Sequence, residues 1–148
     1  MVLLCSERLQ SCSIKANNHI VQNNHLEAGE RYPLGLKGWA TATAWAFGVL
    51  TQEVCAEVAK PEWWNDEGLK ALSARVVRAA PDHGDANQMR AVVLSVMCGG
   101  WEVGPRSAVE LTEAVTHFER AAALCPAPAG KAQLAGDAAW CRRRAGAM

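Results

Sequence analysis

The chain has one tyrosine and two phenylalanines, and isoleucine is sparse. These are the residues that favour pleated, half-buried surfaces, so a sheet-based fold is disfavoured. Neither sign of charge is in excess: 15 Lys and Arg balance 15 Asp and Glu. No global field draws the chain to nucleic acid or to an anionic lipid surface. There is no long hydrophobic run. The longest apolar stretch, 38–50, is flanked by Lys37 and Glu53 and is too short to span a bilayer. Met1 to Cys5 is likewise too short for a secretory apolar segment, and Glu7 and Arg8 interrupt it. A glycine-rich phosphate loop, a dinucleotide fingerprint and a nucleophile elbow are all missing. Six cysteines are present, but they are too scattered to form the framework of a small secreted domain. The expectation is a reducing, intracellular compartment.

What is present is alanine, punctuated by proline. The 148 residues suffice for one domain with a real core. Residues 1–33 read as a loosely ordered extension, with Asn17, Asn18, Asn23 and Asn24 making poor helix material. From 34 to 148 the apolar positions recur with helical period. The first helix is expected over 38–59, with Trp39, Thr43, Ala46, Phe47, Leu50, Val54 and Val58 on its stripe. The second starts at Pro61 or at an Asn65 cap, buries Leu69, Leu72, Val76 and Ala80, and ends at Pro81. Asp82 or Asp85 is expected to cap the third, with Ala86, Met89, Val93, Val96 and Met97 inward and Gly99-Gly100 as its stop. Ser107 with Glu110 spells a capping box for the fourth, which buries Ala108, Leu111, Val115, Phe118, Ala122 and Cys125. The fifth follows Pro126 and Pro128, with Leu134, Ala138 and Cys141 inward. Cys125 and Cys141 then stand roughly 18 Å apart, beyond the roughly 7 Å Cα separation a disulfide tolerates.

Ala114, Phe118, Ala121 and Pro126 carry a family signal. Their spacing resembles the second helix of a tetratricopeptide repeat, where small and aromatic knobs interlock and a proline closes the element. Pro81 to Ala86 resembles the linker between successive repeats. With Pro81 on the closing position, Ala91 and Leu94 take the small and aromatic places of the next helix; with Pro126 there, Gly136 and Ala139 do. Three positions depart from the pattern: Asn87 and Arg90 stand where the family has Trp and Leu, and Ser73 where it has an aromatic residue. The separation of Pro81 from Pro126 exceeds the family's period of roughly 34 residues, a surplus that fits a long loop before helix four. The resemblance covers 61–146. It implies an all-α fold of about five helices in antiparallel hairpins and a function in binding another protein or peptide.

Sites for chemistry are weak. Cys5, Cys12, His19 and His25 are soft-metal ligand types, but zinc ligands usually come two to four residues apart. His117 and Glu119 match the first half of a zinc-deaminase signature whose Pro-Cys-x-x-Cys half is missing. The expectation is no enzyme, no metal and no cofactor. The stronger surplus is six tryptophans. Trp39 lies on the core stripe of helix one and Trp45 on its opposite face. Trp63, Trp64 and Trp101 fall on two connections that an alternating hairpin stack places at one end. Arg142 and Arg143, with Arg144, form a basic patch in the last helical turn. Trp63, Trp64, Trp101, Arg142 and Arg143 are therefore the candidate partner-binding residues, since Trp and Arg are enriched in binding hot spots. The alternative is a small structural subunit, stable only within a larger assembly.

Overall fold

The computed structural model describes residues 35–52, 60–97 and 100–148. The expected extension 1–33 and the ligand types at Cys5, Cys12, His19 and His25 lie outside them. The described residues form five helices and no strand: α1 Lys37–Leu50, α2 Asp66–Ala79, α3 Gly84–Ser95, α4 Ala108–Leu124 and α5 Pro128–Gly146.

Two helix ends differ from the sequence expectation, and side chains explain both. α1 ends at Leu50, and the rest of the expected first helix from 53 to 59, with Val54 and Val58, lies outside the described residues. Thr51 Oγ1 turns back to the Gly48 carbonyl (3.0 Å), and Lys60 Nζ takes the Leu50 carbonyl (3.0 Å), which fills acceptors that a further turn would use. α3 stops at Ser95, ahead of the glycines, because Val96 adopts the left-handed conformation (φ 60°). That is costly for a β-branched residue. Arg106 Nη2 meanwhile donates to the Val93 carbonyl (2.9 Å) and so satisfies the helix end. At the start of α3 the cap position is His83, and neither Asp82 nor Asp85 caps with a side chain. Elsewhere the local code holds. Asn65 accepts from Gly68 N at the start of α2, and Ser107 with Glu110 forms the reciprocal capping box of α4.

Contacts between successive helices run in opposite directions along the two partners. Arg75 lies over the Trp39 ring (5.3 Å) while Phe47 meets Trp64 (5.6 Å), so α1 and α2 are antiparallel. Asn87 reaches His117 (2.9 Å), Arg90 reaches Glu113 and Val93 reaches Arg106, so α3 and α4 are too. Arg142 pairs with Glu119 across α4 and α5. Helices two apart also touch: α1 packs on α3, Cys141 of α5 lies against Ser95 of α3, and Lys70 of α2 pairs with Glu110 of α4 (2.6 Å). The odd helices therefore run one way in one layer and the even helices the other way in a second. α3 sits at the centre. Its residues are buried on nearly every face, with Gln88 alone fully exposed, so it cannot wall an open groove as an inner helix of an extended array would.

Of the expected core stripes, Leu69 and Val76 of α2 with Ala80 at its end, Leu111, Val115, Phe118 and Ala122 of α4, and Leu134, Ala138 and Cys141 of α5 are buried, whereas Leu72, Ala108 and Cys125 are half-buried. Val96 and Met97, expected inward on α3, are half-buried, since the helix has already ended before them. Cys125 and Cys141 are free thiols.

Candidate functional site

The turn before α2 and the loop before α4 meet at one end of the bundle. The first is a tight turn, with Trp64 N donating to the Pro61 carbonyl and Asn65 N to that of Trp63 (both 2.9 Å). It folds back onto the first turn of α2 so closely that a Cβ at residue 68 would lie 2.2 Å from the Trp63 carbonyl oxygen. Only Gly68 permits that approach. The second loop is pinned by Arg106, whose guanidinium forms a two-pronged bond with the Asp66 carboxylate (Nη1 to Oδ2, 2.8 Å). Trp101 Nε1 donates to the same carboxylate (3.4 Å), and Lys70 adds a second cation (3.3 Å). The Arg106 hydrogen bonds hold the Asp66 carboxyl well below the usual carboxylate range, against the opposing pull of burial. Arg106 Nε is buried with no hydrogen-bond partner among the described residues.

The clamp brings the aromatic rings together. Trp64 stands 5.6 Å from Phe47, 5.9 Å from Trp63 and 6.2 Å from Trp101, edge to face. Trp64 Nε1 donates to the Gly100 carbonyl across the two loops (3.1 Å). The five candidate residues accordingly divide. Trp63 is 37 % exposed and rests on Trp64. Trp101 is half-buried. Trp64 is 8 % exposed and belongs to the core, so its ring is unavailable as a contact; the adjacent pair Trp63-Trp64 gave no means of telling which indole turns inward. Arg142 is engaged by Glu119 of α4, and Arg144 stacks on Trp140 (5.3 Å). Arg143 is exposed. The arginines thus belong to α5 and its neighbour, apart from the aromatic cluster.

A polar seam between α2, α3 and α4 was not anticipated. Arg90 donates through Nε and Nη2 to Glu113 (2.9 and 2.7 Å), and through Nη1 to the Lys70 carbonyl (2.8 Å) and Ser73 Oγ (3.2 Å). Asn87 is fully buried. Its Nδ2 donates to the Pro81 and His83 carbonyls (2.8 and 2.9 Å), which leaves Oδ1 to accept from His117 Nδ1 (2.9 Å) and fixes the imidazole tautomer. His117 therefore turns inward, whereas Glu119 turns out to Arg142, and the two do not converge on a common ligand. Among the described residues no group of three His, Cys, Asp or Glu side chains is placed to hold a metal ion. Burial raises the Cys141 thiol, which suits a core residue rather than a nucleophile.

Burial lowers the His117 pKa, with Arg90 and Arg120 pushing the same way and Glu113 (3.8 Å from Nε2) opposing. The folded protein thus favours the neutral ring. As pH falls below about 6.5 the unfolded chain binds the proton first, so stability is lost through that window and is fully present above it. Denaturant titrations from about pH 5 to about pH 7 should give a steeper loss on acidification for the native chain than for His117→Gln, whose amide can still donate to Asn87. Parallel profiles would rule out this role for His117.

Two shallow surface concavities, one along α4 at Ala108, Val109, Thr112, Glu113 and Thr116 and one at Gly35, Trp39, Arg75, Arg78 and Ala79, bring no acid–base pair together. No helix among the described residues is long and apolar enough to cross a membrane. In comparisons with known proteins the chain matches no family model, no curated protein and no solved structure.

Proposed function

We propose that this chain is a non-catalytic protein–protein interaction module built on tetratricopeptide-like helical hairpins, and that its contact surface is the aromatic end around Trp63 and Trp101. The observation that carries the reading is the setting of Trp63. A partly exposed indole sits on a turn locked by Gly68 and is braced by a second indole. A rigid aromatic anchor of this kind presents contact area at low entropic cost. The two-layer packing of hairpins supports the family resemblance.

A photo-crosslinking side chain placed in cells at position 67, exposed at the same end, tests it, with one at Gln133 on the exposed face of α5 as control. A discrete adduct from 67 and none from 133 is the expected result. Equal labelling from both, or none from 67, would reject this surface. Trp63→Ala, introduced beside the label at 67, should leave folding nearly intact, with a stability change of about 1 kcal/mol, while abolishing capture of the partner.

A second reading, a subunit stable only within an assembly, is favoured by other large apolar side chains in solvent. Val109 in the first turn of α4 is 76 % and Leu36 ahead of α1 52 % exposed. Size-exclusion chromatography of the isolated chain separates the two readings: a monodisperse monomer supports the module, and aggregation supports the subunit.

A further inference from the structure

The charge around the aromatic end is one-sided. Glu62, Glu67 and Glu102 are exposed, and none of their carboxylates makes a hydrogen bond or ion pair among the described residues. Among the described residues, the cations of the same end are all committed. Lys70 is held by Asp66 and Glu110. Arg106 is held by Asp66 and the Val93 carbonyl. Lys60 donates to the Leu50 carbonyl, and its ammonium lies 5.4 Å above the Trp64 ring. That last contact is a second, independent observation: the cluster already takes a cation of its own chain on one indole. The indole N–H groups of Trp64 and Trp101 are both spent on internal acceptors, Gly100 O and Asp66. What this end offers outward is therefore the ring of Trp63 and uncompensated carboxylates. A π face with carboxylates nearby attracts a cation on an apolar stem, and a planar guanidinium stacks on an indole better than an ammonium does.

We propose that this end docks an arginine-bearing segment of a partner protein, the guanidinium stacking on Trp63 with Glu62 and Glu102 supplying the countercharge. The proposal rests on the interaction-module reading and adds the chemistry of the occupant. An acidic or purely apolar segment, or a second copy of this chain, would be a different occupant.

The test uses the full chain and capped peptides of alternating Arg and Gly, with Glu–Gly peptides of the same length as comparison, in calorimetric titrations. The Arg–Gly peptide should bind at least about tenfold more tightly than the Glu–Gly peptide, and its affinity should fall as salt rises from about 0.05 M to about 0.5 M. Trp63→Ala should weaken it by about fivefold or more. Glu62→Gln with Glu102→Gln should weaken it and flatten the salt dependence. Both carboxylates are exposed, so this pair leaves the fold alone and decides the matter if Trp63→Ala unfolds by circular dichroism. Equal binding of the Glu–Gly peptide, indifference of Arg–Gly binding to the Gln pair, or concentration-dependent self-association that blocks the peptide overturns the proposal. An adduct from position 67 that persists in the Gln pair at about 0.5 M salt overturns the arginine assignment and leaves the module standing. Absence of any such adduct removes the module itself.

Discussion

Phe118→Ala should destabilise the fold by about 3–5 kcal/mol. The ring is 1 % exposed at the middle of α4. Ala114 and Ala121, one turn to either side, are buried as well and allow neighbouring helices to come close around it. The deletion leaves a cavity in addition to the lost transfer free energy. Urea denaturation followed by tryptophan fluorescence and circular dichroism measures it. Phe118→Leu, which keeps most of the volume, should cost about 1.5 kcal/mol or less. A loss under about 1 kcal/mol for the alanine variant would mean that the site repacks, and the interlocking read from Ala114, Phe118 and Ala121 would lose its support.

Asp66→Asn should cost about 3 kcal/mol, through a different mechanism. The Arg106 guanidinium is nearly enclosed, with its side chain only 5 % exposed, and Asp66 is the anion that compensates it. Neutralising the carboxylate leaves a buried cation with carbonyl partners alone. The effect depends on pH. Because the Asp66 pKa is depressed in the folded state, its contribution is fully present above the unfolded carboxylate value of about 4 and is lost as pH falls below that. The difference in unfolding free energy between the native chain and Asp66→Asn should therefore shrink on acidification below about pH 4. Replacing both partners by apolar residues, Asp66→Leu with Arg106→Met, should recover part of the loss. A pH-independent difference would show that the interaction is not ionic in origin.

The helices were legible because local chemistry writes them. Asn65 and the Ser107–Glu110 pair announce helix starts through bonds within four residues, and Leu69, Val76, Phe118 and Leu134 mark buried faces through a simple period. The expected meeting of the two tryptophan-bearing connections also followed from the alternation of hairpins. Illegible were the features made by partners far apart in sequence. Nothing near Val96 announces a left-handed helix end, because the group that satisfies α3 there is Arg106, beyond a loop. Nothing near Trp64 tells it from Trp63, because the acceptor for its indole N–H is Gly100. Asp66 looks like an ordinary first-turn carboxylate until Arg106 is folded against it. The Asp82 and Asp85 caps failed because the helix begins at Gly84: the cap position falls on His83, with Asp82 ahead of it and Asp85 already in the first turn.

The polar seam bears on how such a chain can be divided. In stacked-repeat proteins each unit meets only its neighbours through apolar faces, and units can be gained or lost with modest effect. Here the three positions that break the repeat pattern, Ser73, Asn87 and Arg90, are the ones that reach across helices. Arg90 alone bonds to α2 and α4 from α3. A cut anywhere between α2 and α4 strands a guanidinium or a buried amide without its acceptors. The smallest piece that folds by itself should accordingly be the block from α2 through α4, and a lineage that duplicated or deleted single hairpins would first have had to erase the seam.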